Sequence, residues 1–560
     1  MERLTVVLLV ILPLLSASVV TAGAAVLGKR VAAVSVIFSL LTLLLAVAVL
    51  ILDPGDQPLY RLAASLPWGS LYVDKLGEVM AVLVSGIGLI VRIYSVRYMA
   101  EEPGYARFFA LLDLMAVALL LMVFAGDLIT LLIAWQLVGV LLYFLLGHDL
   151  GRPAAERYAF WTYFTYRFGD LPLILAAVLL YQAYGTLSLP SLFAHIARTP
   201  TSPGLFGMSL PLTIGFLVGL SAFARSAQFP LNSWLPYTME GPTPVSVLMH
   251  AGIVNAGGFI INRFAPVFVY AGPALHLIFV VGLITALLGS ALMLMQNDIK
   301  KALGYSTMGQ MGFMLVECGV GAFPLAIYHL IAHGVFKGTL FLGSGNVIGS
   351  ARKQDGVPHD DVYTFVVERK PVGARQPWIL AAAITVVVPF LIFTLSHWLV
   401  GDSLVVRQGA VVLLFFGWVT GAQLLFVTYR LRADNPWRLM SWIIVSLMIV
   451  VAGYTVMEHA FGLLLYPNRL LSSRIYAAAS ISASTFEVLM SLITVAAVVG
   501  WFATFYSGHQ GHKNGNNVPA AKLALYSLMS REFYVSDVYA WLTSVVLGSS
   551  RCLNVWLRWV

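Results

Sequence analysis

The 560-residue chain is 60% hydrophobic and only 10% charged, with a mean hydropathy of +0.88. Soluble domains carry about 25% charged residues, so a soluble enzyme is excluded and a polytopic membrane protein is implied. The net charge of +8 is scattered over many short loops and forms no nucleic-acid-binding face, and Cys318 and Cys552, far apart and outside any CxxC pattern, indicate no disulfide framework and no iron–sulfur or zinc site.

From the N-terminus, apolar runs cover Thr5 to Leu27 and Val31 to Leu52 and then recur almost continuously to Phe505. At roughly 20 residues per span, about fifteen can be placed. The first run exceeds a signal-peptide core of about 7–15 residues and a second span follows at once, so it is read as a retained helix. The expected fold class is an all-α polytopic membrane protein. With alternating spans, the loops at Lys29/Arg30, Arg97/Arg107, Arg152/Arg157, Lys300/Lys301, 352–375 and 430–438 and the C-terminal tail fall on one side. That side holds about 21 Lys and Arg against about 8 on the other, which places the N-terminus outside and the C-terminus in the cytoplasm of a cell inner (plasma) membrane.

Polar residues inside the apolar runs are the functional candidates, because an ionisable group at mid-bilayer costs at least a few kcal/mol. In chain order, Asp113 comes first, read as snorkelling, capping or functional. Arg167 and Asp170 in "YRFGD" read either as a local ion pair at a helix start or as part of a channel. Arg225 lies in "GLSAFARSAQFP", a run that ends at Pro230, and "EGPTPVSVLMHAG" sets Pro242 and Pro244 at the mouth of a span that Gly252, Gly257 and Gly258 loosen around His250. Both segments read as opened helices of the kind found in transporters. Glu317 follows, a candidate partner for Lys337 if the two helices face each other, and then "HLIAHGVFKGTLF" puts His329, His333 and Lys337 at intervals of four, stacked on one helical face. Three such groups in phase suggest a proton relay, since imidazole both accepts and donates; interhelical hydrogen bonding is the plainer alternative. Zinc binding by "HLIAH" is disfavoured, because Leu330 stands where the protease signature needs Glu. Further on come His397, Glu458 and Glu487, while His359, Asp360 and Asp361 sit in what reads as a solvated loop. The tail opens with "SGHQGHKNGNN" and closes on Trp541, Trp556 and Trp559 with Arg551 and Arg558, which suits an interfacial or docking helix.

The stretches "EPGYARFFALLDL", "YRFGDLPLILAAVLLYQAYGTLS", "ARSAQFPLNSWLPYTMEGPTPVSVLMHA", "QNDIKKALGYSTMGQMGF" and "HLIAHGVFKGTLFLGSGNVI" resemble the antiporter-like, proton-conducting subunits of respiratory complex I and Mrp-type cation/proton antiporters. The resemblance implies two inverted five-helix repeats with broken helices, and a division into N-terminal helices (1–106), a first repeat (107–265), a second repeat (266–432), C-terminal helices (433–506) and a cytoplasmic tail (507–560). By position it implies that Arg225 replaces the family's channel lysine, that His250 stands beside the break, that His329, His333 and Lys337 form the connecting relay, and that Arg167 and Asp170 match a family pair. It also implies that Gln136 replaces the family glutamate after Trp135 and that His397 replaces the exit lysine. Gln cannot titrate and Arg does not release its proton, so the first half is expected to be altered, with either a static half-channel or Asp170 alone balancing Arg225, and the second half competent. "SREFYVSDVYAWL" resembles the start of the tail of the largest complex I pumping subunit, without room in this sequence for a long lateral helix.

The branch that fits these departures is the membrane subunit of DAB-type inorganic carbon pumps, which implies H+ or Na+ flow coupled to a carbonic-anhydrase-like, zinc-containing cytoplasmic partner of the DabA type. No cofactor is expected in this chain and no catalysis by it alone. The alternatives are a pumping subunit of a complex I-like enzyme, membrane hydrogenase or Mrp antiporter, and a non-conducting scaffold.

Overall fold

The computed structural model describes residues 2–343 apart from 53–58, 62–67, 150 and 297, then 459–467, 469–482 with the helix Arg469–Ala479, scattered positions elsewhere between 441 and 492, and 520–557. The chain divides into one unit of Met1–Gly319, His329–Ser344 and Lys513–Val560 and another of Val320–Tyr328 and Gly345–His512. In chain order the helices are α1 (Glu2–Ala22), α2 (Ala24–Leu27), α3 (Val31–Leu52), α4 (Lys75–Tyr98), α5 (Tyr105–Val123), α6 (Leu128–Leu146), α7 (Pro153–Tyr184), α8 (Leu189–Arg198), α9 (Leu210–Arg225), α10 (Trp234–Tyr237), α11 (Thr243–Ala251), α12 (Ala256–Arg263), α13 (Ala265–Phe268), α14 (Gly272–Leu294), α15 (Ile299–Gly319) and α16 (Phe323–Gly343). Nine helical segments among the described residues are long and apolar enough to cross a membrane, and part of the expected fifteen lies outside the described residues. Among the described residues the expected all-helical character holds except for one antiparallel hairpin, β1 (Leu59–Arg61) with β2 (Ser70–Tyr72). In the second unit, Tyr328 packs on Phe461 at 5.7 Å between ring centres.

Acidic caps fix where the spans begin. Asp74 accepts the Gly77 N–H at 2.9 Å and so starts α4; Asp127 accepts the Thr130 N–H at 2.8 Å and starts α6. Each cap also ties a second element down. The other oxygen of Asp127 accepts the Ser70 N–H at 2.8 Å, anchoring the hairpin, and Asp74 pairs with Arg263 at the end of α12 at 2.6 Å.

Asp113, left open between capping and function by the sequence, is neither exposed nor snorkelling. It accepts Ser16 Oγ at 2.6 Å, Ser35 Oγ at 2.7 Å and Arg92 Nε at 2.9 Å, while Arg92 spends its other donors on the Gly88 and Leu112 carbonyls. This saturated knot joins α1, α3, α4 and α5, and a closed network of this kind fixes packing.

Proline at the first turn of α7 suits helix initiation, and left-handed Gly185 (φ +64°) caps its C-terminus. At 32 residues it spans ~48 Å, well beyond a hydrocarbon core of about 30 Å. Arg167 and Asp170 therefore lie near mid-helix, not at a helix start as one of the sequence readings had it. Gly169 lets α7 touch α9, since a methyl group there would overlap the Ala224 side chain.

The break expected near His250 is present. The helix ends at Gly252, whose backbone (φ −126°, ψ −66°) leaves the helical region, and a tight turn over Ile253–Asn255 leads into α12. Ser226, just past the end of α9, donates to the freed Val254 carbonyl at 2.6 Å and accepts the Gly257 N–H at 3.1 Å, so its hydroxyl satisfies two backbone groups of the break, as a non-helical backbone at membrane depth requires.

The tail returns to the first unit through Glu532. Its carboxylate is 4% exposed, pairs with Lys301 Nζ at 2.6 Å, accepts Tyr237 Oη at 3.1 Å and also accepts the Ser536 hydroxyl. Phe533 meets Phe229 edge-on, and the helix Val535–Trp556 sets Tyr539 against Trp161. Glu532, Phe533 and Tyr534 all have φ between +57° and +58°, a left-handed run costing about 1–2 kcal/mol per residue that only strong side-chain anchoring sustains. Burial alone would raise the Glu532 carboxyl, but Lys301 and Ser536 hold it below the usual carboxylate range. A depressed folded-state value means that the docking energy is present at neutral pH and lost as pH falls through that value. Accordingly, the wild-type tail should resist protease at pH 7 and become cleavable on acidification, whereas Glu532→Gln should be cleaved readily at both. Equal protection of the two proteins at pH 7 would contradict the anchoring role.

Candidate functional site

Two groups of buried polar side chains stand out within the first unit. The first is centred on Arg225, which is 1% exposed at the C-terminal end of α9. Its guanidinium lies between the rings of Trp135 (4.5 Å) and Tyr166 (4.1 Å), donates to the Trp135 carbonyl at 2.6 Å and reaches Asp170 Oδ1 at 3.0 Å. The other oxygen of Asp170 takes Arg167 at 2.9 Å. One carboxylate thus serves two guanidinium groups, and stacking on two aromatic faces holds Arg225 in place. Gln136 enters this group through its backbone carbonyl, 3.4 Å from Arg167 Nη2. Its side chain, with Phe164, Arg167, Phe168, Asp170, Leu171 and Ile174, lines a cleft of about 450 Å³.

The arrangement suits a fixed charge. Arg225 keeps its proton, its carboxylate partner is shared with Arg167, and residue 136, where the family resemblance expects a glutamate, is a glutamine. Asp170 balances Arg225, as one of the two expectations had it, but not for Arg225 alone, since it also pairs with Arg167.

The second group lies on α15, α16 and α11. His329 Nδ1 stands 2.9 Å from Glu317 Oε1, and its Nε2 stands 3.0 Å from Gln310 Oε1. One turn on is His333, 6.3 Å away between ring centres, 5% exposed and with no hydrogen-bond partner for either nitrogen among the described residues. Lys337 follows one further turn along, 1% exposed. His250, at the end of α11 before the break, is stacked on Phe341 at 4.4 Å, and Gly334 of α16 lies against the Ala251 carbonyl. His329, Lys337 and His250 all lie within electrostatic reach of His333. Glu317, which the sequence suggested as a partner for Lys337, instead faces His329.

The structure thus assembles His250, Glu317, His329, His333 and Lys337 in one place and Gln136, Arg167, Asp170 and Arg225 in another. His397, Glu458, Glu487 and the His359–Asp361 loop lie outside the described residues. Sequence reasoning missed Gln310, whose one signal was its placement seven residues before Glu317, two helical turns along the same face. It also missed Glu532 and Lys301, which charge pattern alone does not connect across more than two hundred residues.

Residues 125–423 match the family described as NADH:quinone oxidoreductase/Mrp antiporter, and residues 65–109 match the N-terminus of complex I chain 5. The chain is 56% identical over 554 residues to the probable inorganic carbon transporter subunit DabB1 of Halothiobacillus neapolitanus, covering 99% of each protein. It is 38% identical over 365 residues to NAD(P)H-quinone oxidoreductase chain 5 of a Picosynechococcus species, spanning 64% of this chain but only 54% of that protein. Among solved structures, the Mrp complex of a Dietzia species shares the fold at a TM-score of 0.59 and 20% identity over 99% of this chain and 60% of that one. An archaeal membrane-bound sulfane sulfur reductase does so at 0.53 and 19% over 96% of this chain and 99% of that one. The chain belongs to the antiporter-like membrane subunit family of NADH:quinone oxidoreductases and Mrp antiporters and, within it, to the inorganic carbon transporter subunits.

Proposed function

We propose that this subunit conducts H+ or Na+ through the α15–α16 path and thereby drives inorganic carbon uptake by a carbonic-anhydrase-like, zinc-containing cytoplasmic partner. The observation that carries the reading is the contrast between the two buried groups. Glu317, His329, His333 and Lys337 are all able to exchange a proton and stand in sequence on two adjacent helices, whereas the Arg225–Asp170–Arg167 triad is a closed charge cluster. A proton path needs groups that both take up and release, and the second group supplies them.

On this reading the chain forms two inverted repeats within about fifteen spans, with the N-terminus outside and the tail in the cytoplasm. The apolar face of Val535–Trp556, with Val538, Trp541, Val545 and Trp556 exposed, rests at the interface or against the partner. The test is mass spectrometry of the gently solubilised complex with metal analysis. A zinc-bearing, carbonic-anhydrase-like protein in fixed proportion supports the proposal, and iron–sulfur or quinone-linked subunits in its place would transfer the chain to a complex I-like assembly. That second reading draws on the match to NAD(P)H-quinone oxidoreductase chain 5.

A further inference from the structure

Gln310 has no part in the scheme so far, yet it faces the first histidine of the path. Its amide oxygen is 3.0 Å from His329 Nε2, while Glu317 Oε1 is 2.9 Å from Nδ1 on the other side of the ring. With the amide oxygen toward the ring, both facing atoms accept and the pair matches an imidazolium; with the amide turned, the same pair matches a neutral ring protonated on Nδ1. A neutral ring carries a lone pair on one nitrogen, and an oxygen opposite that lone pair would be repelled. An amide can answer both states, because half a turn about its last bond exchanges C=O for NH2 at the same place. A carboxylate at 310 would accept only, and an apolar side chain would do neither.

We propose that Gln310 is a positioning residue for proton transfer, its amide turning with the charge on His329 so that the ring is hydrogen-bonded both before and after it gives up its proton. Glu317 holds the Nδ1–H and thereby selects Nε2 as the nitrogen that releases. In the step itself the Gln310 oxygen yields the Nε2–H to a bridging water, which takes that proton and passes one of its own to His333: the Nε2–H bond breaks, an N–H bond forms on His333, the water is regenerated and the positive charge moves between rings whose centres are 6.3 Å apart. The Gln310 amide then donates to the vacated lone pair, and it turns back when the next proton arrives. Without this exchange one protonation state of His329 would be trapped by an unmatched partner, and a buried unmatched polar group is costly. The titratable groups that act on His329 are Glu317 from α15 and His333 from its own helix, and Lys337 and His250 act in turn on His333.

This inference rests on the reading of α15 and α16 as the ion path, and the experiment separates the two. Gradient-driven uptake of labelled inorganic carbon is measured between pH 6 and 9 in the intact complex bearing Gln310→Met, Gln310→Glu or Lys337→Ala, with assembly checked by pull-down of the partner. Gln310→Met should slow uptake about tenfold, the order of effect of leaving one buried polar group without its hydrogen-bond partner, and shift the pH profile to lower pH, because the imidazolium has lost an acceptor. Gln310→Glu should shift it to higher pH by about one unit, because a second carboxylate retains the proton. A purely structural role for Gln310 would lower the amount of complex and leave the profile where it was. Profiles of both variants superimposed on the wild type, with Lys337→Ala inactive, would overturn the role of Gln310 and spare the path. Full activity in Lys337→Ala would overturn the path and this inference with it.

Discussion

Lys337→Ala should abolish gradient-driven inorganic carbon uptake while the complex still assembles, and Lys337→Arg should abolish it as well. Lys337 is 1% exposed and lies one turn beyond His333 on a helix long and apolar enough to cross a membrane. A lysine in such a place exchanges its proton as hydration and neighbouring charge change, whereas guanidinium retains its proton throughout. Arginine therefore preserves charge and approximate size but removes the chemistry, and the loss expected is at least about a hundredfold, the low end for removing a general acid–base group. His333 lies upstream and has both ring nitrogens available among the described residues. His333→Ala should slow uptake more than His333→Gln, since an amide still organises water. Uptake rates per assembled complex, normalised to the co-purified partner, decide the point.

Asp170→Asn should be the most destabilising single change in the first half. It removes the one carboxylate serving both Arg167 and Arg225, leaving a fully buried guanidinium without its counter-charge, at a cost of about 3–5 kcal/mol. Arg225→Ala should cost less than it would in an isolated pair, because Asp170 keeps Arg167. Arg225→Lys should be milder still in stability: the ammonium can reach Asp170 but cannot also hold the Trp135 carbonyl and both ring faces. Thermal unfolding of the purified complex should rank the midpoints in that order. A wild-type midpoint for Asp170→Asn would show that the triad does not hold α7 to α9. Transport in Arg225→Lys should fall no further than its stability does, because the account gives Arg225 a fixed charge and no proton to release.

Much of this was legible in the residues. The break after His250 follows from Pro242, Pro244 and Gly252, whose backbone preferences act locally, and the alignment of His329, His333 and Lys337 follows from the helical repeat. What a helix faces is a matter of tertiary packing, and there the sequence was less informative. Asp170 was legible both as an ion-pair partner of Arg167 along one helix and as the charge that would balance Arg225; that one carboxylate serves both at once depends on Gly169 letting α7 and α9 approach to contact, and spacing along one helix does not report that closeness. Asp113 reads as an isolated charge until Ser16, Ser35 and Arg92 converge on it from three other helices. Gln310 passes for an ordinary helix–helix amide until a histidine nineteen residues later turns toward it. Glu532 sits in a tail rich in aromatics, and its burial depends on a left-handed backbone run that no propensity scale favours.

The coupling of ion flow to carbon uptake is tested most directly in vesicles that hold this subunit together with its co-purified partner. Carbon dioxide is supplied at equal concentration on both sides, and bicarbonate accumulation is followed with and without an imposed proton or sodium gradient. The account predicts accumulation above equilibrium only when a gradient is present, its collapse by an ionophore for the coupling ion, and none in vesicles carrying Lys337→Ala. Accumulation that is indifferent to both gradients, or that persists in Lys337→Ala, would contradict it.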